Sequence, residues 1–410
     1  MNSPADREPL PFADAPTAPA VRTKEAAGPR AGSQRRQPFI YIACPWGPMG
    51  GGMYKVADYL VQAQAPQTPE RFAQLRVLDT RGPGSALASL WALLRALTRL
   101  VMGRLGGDLL GVHVNMAEKL SLFRKGTVVI AASALGLPVV IHLHAQMQGF
   151  YRRLPAPLRA LIRWMFSLAR CVLVIGPAGQ RFVTEELRVP PERVQIVING
   201  VPGLAQARPQ PPADAVRRVL FIGRLTQLKG VPDLLQAVAR LGPARARMVL
   251  TLAGDGDVPA CRATAAELGI GDAVHFEGWC DQQRIHALLR EADLLVLPSY
   301  DEVMPLVILE ALAHGVAVVC TPVGEIPSVL TDGVNARFEA PGDVDALAAA
   351  LRSLLEQPAR LEELRRNGRA LYLAQFSIAR FFEQVARVHQ RHFGLGAALP
   401  GPASAPEGPR

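Results

Sequence analysis

The sequence predicts an α/β protein of two doubly wound, Rossmann-like domains facing each other across a cleft. Three observations carry this. The chain has 410 residues, 49% of them apolar, enough to build two cores. Short apolar strand candidates alternate with helical patterns along both halves, which implies parallel sheets covered by helices. The alternation lapses at NGVPGLAQARPQPPAD (199–214), which carries four prolines and no periodicity and reads as a linker.

Taken in order, residues 1–37 are rich in Pro, Ala and charge and lack an apolar core. They read as a disordered tail rather than a secretory signal. A first domain, 38–200, has strands expected at Phe39–Cys44, Leu75–Leu78, Leu109–Asn115, Pro138–His144, Val172–Ile175 and Val194–Ile198. Helices are expected at Met53–Gln64, Ala86–Met102 and Leu158–Ala169. After a linker at 201–215, a second domain (216–375) has strands at Val219–Gly223, Met248–Ala253, Val274–Glu277, Leu294–Pro298 and Ala317–Cys320. Its helices fall at Val231–Leu241, Val258–Leu268, Gln282–Leu289, Leu306–His314 and Val344–Leu355. A last helix within 376–393 is expected to cross back over the first domain, and 394–410 reads as a second disordered tail. The longest apolar run, 127–143, is interrupted by Ser133, Gly136 and Pro138 and falls short of the roughly 20 residues a spanning helix needs. No transmembrane segment is therefore expected.

Composition narrows the function. Cys44, Cys171, Cys261, Cys280 and Cys320 form no C-x-x-C pair and no metal spacing, which suits a reducing cytoplasm and supports neither a metal nor another cofactor. The net charge of +10 is uneven: residues 1–210 hold 25 Lys/Arg against 12 Asp/Glu. One domain therefore faces something anionic. The charge alone would allow a nucleic acid, but no nucleic-acid module is visible, and a membrane surface or a phosphate-bearing acceptor fits equally well.

Gly50-Gly51-Gly52 follows the first strand and opens the first helix. It is either a tight turn or a place where backbone amides approach a phosphate. The dinucleotide fingerprint G-x-G-x-x-G is absent, because Lys55 holds its last position, which argues against a dehydrogenase. In GRLTQLKG (223–230), Arg224 and Lys229 lie on a strand-to-helix loop, where a leaving diphosphate needs fixed cations. In DEVMPLVILEALAHG (301–315), Pro305 suits the first helical position. Glu302 on the loop and Glu310 in the helix are then roughly 10 Å apart along the axis, a span that fits two contacts on one nucleotide sugar. Inside an apolar helix Glu310 needs a partner, and a core salt bridge would also supply one. His142 and His144 close the strand VVIHLHA on one face. A metal pair there lacks a third ligand, so structural histidines are the other reading. Gly254-Asp255-Gly256 is a turn that can border a pocket.

Together GGGM (50–53), GRLTQLKG (223–230), AGDGD (253–257) and EVMPLVILEALAHG resemble, in order, the retaining glycosyltransferases of family 4 on the GT-B fold, over about residues 38–393. The opening CPWGPMGGGMYKVADYL is also similar to bacterial exopolysaccharide and capsule transferases. The resemblance implies that Arg224 and Lys229 hold the donor diphosphate, that Glu310 binds the ribose hydroxyls, and that Glu302 and His144 contact the donor hexose. Gly51 and Gly52 would admit backbone close to the phosphates. Gly223, Gly254, Met304 and Leu306 complete the implied donor site, and Thr321 to Ile326 would lie near the nucleotide. It implies front-face transfer with retention, the leaving phosphate helping to take the acceptor proton, without metal or cofactor. This chain departs from the family's frequent Glu-Gly-Phe-Gly at Glu302–Pro305, where Pro305 has no N–H to donate. It also has Glu325 where a second glycine is common, and that side chain is expected to point away from the phosphates.

The expected activity is transfer of a hexose, mannose or glucose, from a nucleotide-diphosphate sugar to a glycan or polyprenyl-diphosphate-linked acceptor in exopolysaccharide, capsule or lipopolysaccharide synthesis. The expected location is the cytoplasm, with peripheral contact to the anionic inner face of the membrane through basic amphipathic segments at 152–170 and 90–107, and no nucleic-acid partner. A sugar-nucleotide epimerase of similar architecture and a non-catalytic assembly subunit are the alternatives.

Overall fold

The computed structural model describes residues 37–47, 51–64, 73–83, 85–204, 212 and 215–394. The two expected tails lie almost wholly outside these residues, as do Gly50 and most of the linker.

The first lobe contains β1 (Phe39–Cys44), α1 (Gly51–Gln64), β2 (Gln74–Asp79), α2 (Ala86–Gly106), β3 (Leu109–Met116), α3 (Leu120–Ala134), β4 (Val139–Leu143), α4 (Gln148–Arg152), α5 (Ala156–Ser167), β5 (Cys171–Val174), α6 (Pro177–Arg181) and β6 (Val194–Ile196). Its six strands are all parallel, in the order β2-β1-β3-β4-β5-β6. The second lobe contains β7 (Arg217–Ile222), α7 (Val231–Ala239), β8 (Met248–Ala253), α8 (Val258–Glu267), β9 (Val274–Gly278), α9 (Gln282–Glu291), β10 (Leu294–Leu297), α10 (Leu306–His314), β11 (Ala317–Cys320), α11 (Ile326–Val329), β12 (Arg337–Phe338), α12 (Val344–Glu356) and α13 (Pro358–Leu371). Its sheet runs β12-β11-β10-β7-β8-β9, again parallel. Helix α14 (Ile378–Phe393) ends the described chain.

The two orders reverse direction beside β1 and β7. Parallel sheets bind ligands outside their carboxyl ends at such reversals, so both lobes offer a crevice there. The central strands explain why the sheets are parallel. All four residues of β10 (LLVL) and of β11 (AVVC) are buried, which fits strands covered on both faces. Helix α14 carries Phe381, Phe382, Val385 and Phe393 into one cluster with Ile40, Ile42, Val56 and Leu60, so the last described helix packs on the first lobe.

Several helices stand where no element was expected, α3 and α13 the longest of them. The apolar run 127–143 is two elements, the end of α3 and β4, divided around Gly136 and Pro138. Helix α13 hides its pattern because part of its inward face is arginine: Arg365 Nε donates to Gly315 O at 2.7 Å, and Arg369 donates to Ala313 O. Pro305 caps α10 in extended conformation (φ −67°, ψ 127°), one residue before the helix begins. Among the described residues one helix, α2, is long and apolar enough to cross a membrane by length and composition, though only 11% of it is buried. Arg95 and Arg99 interrupt its apolar run, so run length alone passes over it.

Candidate functional site

A cleft of about 800 Å³ opens between the carboxyl ends of the two sheets. Its wall includes Gly51, Gly52, Gly223, Arg224, Gly254, Glu302, Met304, Leu306, Glu310 and His144. Ten of the eleven residues singled out from the sequence therefore share one cavity. The eleventh, Lys229, does not line it. Its ammonium lies 2.5 Å from Glu302 Oε1, which Ser299 Oγ also approaches at 3.0 Å. Lys229 thus acts on the cleft through Glu302, fixing the carboxylate that does line it.

Backbone geometry brings these loops together. Gly51 opens α1 at φ +62°, a conformation that side-chain-bearing residues rarely adopt. At Gly254 a Cβ would sit 1.8 Å from Gly223 O, so only glycine lets the loops after β7 and β8 touch. Arg224 is largely exposed on the first of these loops, with Nε 3.7 Å from Asp255 on the second. It is free to swing onto an anionic ligand.

Glu310 is buried, with 1% of its side chain exposed. Its Oε1 accepts hydrogen bonds from Tyr59 Oη at 2.9 Å and Lys55 Nζ at 3.2 Å, both on α1 of the other lobe. Gln282 Nε2 in turn donates to Tyr59 Oη at 3.0 Å. Oε2 has no partner among the described residues. A buried carboxylate oxygen left unpaired is costly, and a hydroxyl donor entering the cleft would relieve it. The salt-bridge reading of Glu310 thus accounts for only one of its two oxygens. Burial, then the neighbouring Glu310 carboxylate, raises the Tyr59 phenol far above its usual range and keeps it protonated as a donor.

His144 stands half-buried in the wall, with Nε2 3.2 Å from Asn115 Oδ1. Burial, then Lys125 and His113, lowers its pKa to about 3, so it meets a ligand as a neutral ring. His142 lies behind it, ring centroids 4.0 Å apart, with neither ring nitrogen partnered among the described residues. The expected 321–326 segment packs behind Glu302 and lines none of the cleft. A Cβ on Gly324 would fall 1.9 Å from Glu302 O, and Thr321 Oγ1 donates to Ser299 O at 2.5 Å. Glu325 points into the other lobe, where it accepts from Gly179 N at 2.8 Å.

Sequence reasoning missed Tyr59 and gave Lys55 no role. Their i, i+4 spacing on the helix opened by the glycines was the available signal. Trp279 and Asn199, which also line the cleft, had none.

Comparison with known proteins finds relatives of both lobes. Residues 54–202 match the model for Glycosyltransferase Family 4, and residues 205–371 match that for Glycosyl transferases group 1. The chain is 30% identical over 320 residues to the MMP alpha-(1->4)-mannosyltransferase of Mycolicibacterium hassiacum, covering 73% of this chain and 74% of that one. It is 33% identical to the D-inositol 3-phosphate glycosyltransferase of Thermobispora bispora, over 51% of this chain and 53% of that protein. In fold it is similar to HepE of Anabaena, solved in complex with UDP, with a TM-score of 0.66 at 18% identity over 86% of this chain and all of that one. Two matched lobes, their parallel sheets and a mannosyltransferase aligned over most of its length lead to one conclusion: this chain belongs to the family-4 glycosyltransferases of the GT-B fold.

Proposed function

We propose that the enzyme transfers a hexose, mannose or glucose, from a nucleotide-diphosphate sugar to a glycan or polyprenyl-diphosphate-linked acceptor, with retention at the anomeric carbon. The observation that carries this is Glu310, which lines the cleft together with Arg224 and Glu302: one oxygen is clamped by Tyr59 and Lys55, and the other is buried and unpartnered among the described residues. A ribose diol would satisfy the open oxygen. Arg224, and Lys229 once drawn from Glu302, would take the diphosphate as charge develops on it. Glu302 and neutral His144 would hold the hexose hydroxyls. The leaving phosphate would receive the acceptor's proton on the face where the sugar bond breaks, so the scheme assigns no protein base and no metal. Similarity to a mannosyltransferase, and the UDP bound to Anabaena HepE, favour a nucleotide-sugar donor. A role in exopolysaccharide, capsule or lipopolysaccharide assembly places the enzyme in the cytoplasm at the inner face of the membrane.

The test has two steps. Thermal shift against UDP-, GDP- and ADP-sugars identifies the donor, because a ligand of the folded state raises apparent stability. Transfer assays then follow Glu310→Ala and Lys229→Ala, each expected to lose roughly 100-fold or more in turnover while still folding. Excess chelator is expected to leave transfer unchanged. Full activity in either variant removes that residue's role. Turnover of the sugar nucleotide without acceptor would instead favour an epimerase.

A further inference from the structure

The first lobe carries an apolar surface that the cleft does not use. On α2, Leu87, Leu90, Trp91 and Leu94 stand at i, i+3, i+4 and i+7, and Met102 and Leu105 extend the strip. They face outward: Leu87 is 74% exposed, Trp91 67% and Leu105 78%. The opposite face of the same helix buries Ala96 and Leu100 in the lobe's core. A surface helix ordinarily turns polar residues to water, and a contiguous exposed apolar strip marks an interaction site. The strip continues onto neighbouring helices. α2 packs on α3 and α3 on α5, where Leu120 is 81% exposed and Trp164 49%. The three helices contain no Asp or Glu, while Arg95, Arg99, Arg104, Arg159 and Arg163 are spread along them.

Three occupants compete. α2 cannot span a bilayer, because it joins β2 to β3, the two strands that flank β1 in one parallel sheet, and must lie along that sheet with its inner face in the core. A second copy offering the same face would set arginine against arginine, since a two-fold interface brings like patches together. An anionic bilayer supplies both an apolar layer for the leucines and tryptophans and negative charge for the arginines.

We propose that the outer face of α2, with the adjoining ends of α3 and α5, docks on an anionic membrane, α2 lying in the interfacial plane. In a parallel sheet the following helices begin at the strands' carboxyl edge, which is where the cleft opens. Ala117, three residues before Leu120, lines that cleft. The Leu87–Leu120 end of the surface therefore adjoins the cleft mouth, and a lipid-tailed acceptor in the bilayer would meet the cleft with its head group. That last step rests on the transfer reading; the docking does not.

The experiment sediments the full chain with phosphatidylglycerol–phosphatidylcholine vesicles and with phosphatidylcholine alone, and repeats this for Leu87→Ser/Leu105→Ser and Arg95→Ala/Arg99→Ala. These positions are exposed, so circular dichroism and donor binding should match the parent. The expected result is binding to the anionic vesicles only, weakened roughly ten-fold or more in each variant, with salt releasing the parent. No binding by the parent, or equal binding by the leucine variant, overturns the proposal. So does light scattering in which the leucine pair converts a dimer to a monomer while vesicles are ignored, which would assign the face to a second copy. Vesicle binding without sugar transfer would sink the transfer reading and leave this surface standing.

Discussion

At the scale of single residues, the proposed donor site would depend on how Glu310 is held rather than on its presence alone. Inside α10 its neighbours are apolar, and every stabilising contact to its side chain among the described residues comes from α1, some 250 positions earlier in the chain. Hydrogen bonds to a charged group are worth about 1.5–3 kcal/mol. Tyr59→Phe keeps the ring's packing and removes one of them, leaving Glu310 free to turn away from a ribose. We expect donor KM to rise roughly ten-fold or more with kcat nearly unchanged, because the contact serves ground and transition states alike. Steady-state kinetics over donor concentration decide this, and an unchanged KM with reduced kcat would contradict it. The sequence shows the glutamate and its helix but not its clamp. Motif reading works along the chain, whereas Tyr59 and Lys55 meet Glu310 only once two separate sheets have been assembled.

Elements were legible where their pattern had one cause. α10 begins and ends where the sequence puts it, Leu306–His314, and α14, Ile378–Phe393, falls within the expected 376–393. Helix α13 was not, because buried arginines replaced apolar residues on its inner face, and β12 is only two residues long. Helix α14 also carries chemistry that no pattern announced. His389 Nε2 lies 2.8 Å from His113 Nδ1 on β3, and His113 is followed by His142 at 5.5 Å between ring centroids. Burial lowers His113 to about 4 and holds His142 and His389 well below their usual value. A histidine depressed in the fold binds more protons when unfolded. Its contribution is therefore complete above about 6.5, the unfolded value, and is lost as pH falls from there toward the folded value, by about 1.4 kcal/mol per pH unit for each group. Thermal unfolding should show a falling midpoint from pH 6.5 to pH 4.5, and His389→Leu should flatten that slope. An equal slope in the variant would mean that other groups govern acid sensitivity.

For the molecule as a whole, what matters is that the two lobes keep largely separate apolar clusters and meet at the cleft through polar contacts. The meeting points include Lys55 and Tyr59 on Glu310, Gln146 Nε2 on Glu302 O at 2.7 Å, and Gly179 N on Glu325. Two of these contacts end on the Glu310 carboxylate and a third on the backbone carbonyl of Glu302, the two residues proposed to meet the donor. A donor bound as proposed would therefore order residues on which the other lobe already pulls, and such coupling would run both ways. Amide hydrogen exchange with and without the matching nucleoside diphosphate measures it. We expect added protection in α10 (306–314), which would touch the nucleotide, and also in α1 (51–64), whose only share in the ribose contact is its grip on Glu310. The Tyr59→Phe variant should keep the first protection and lose much of the second. Protection confined to the second lobe in the parent would show that the lobes bind independently, and the carboxylates would then serve the donor without joining the halves of the enzyme.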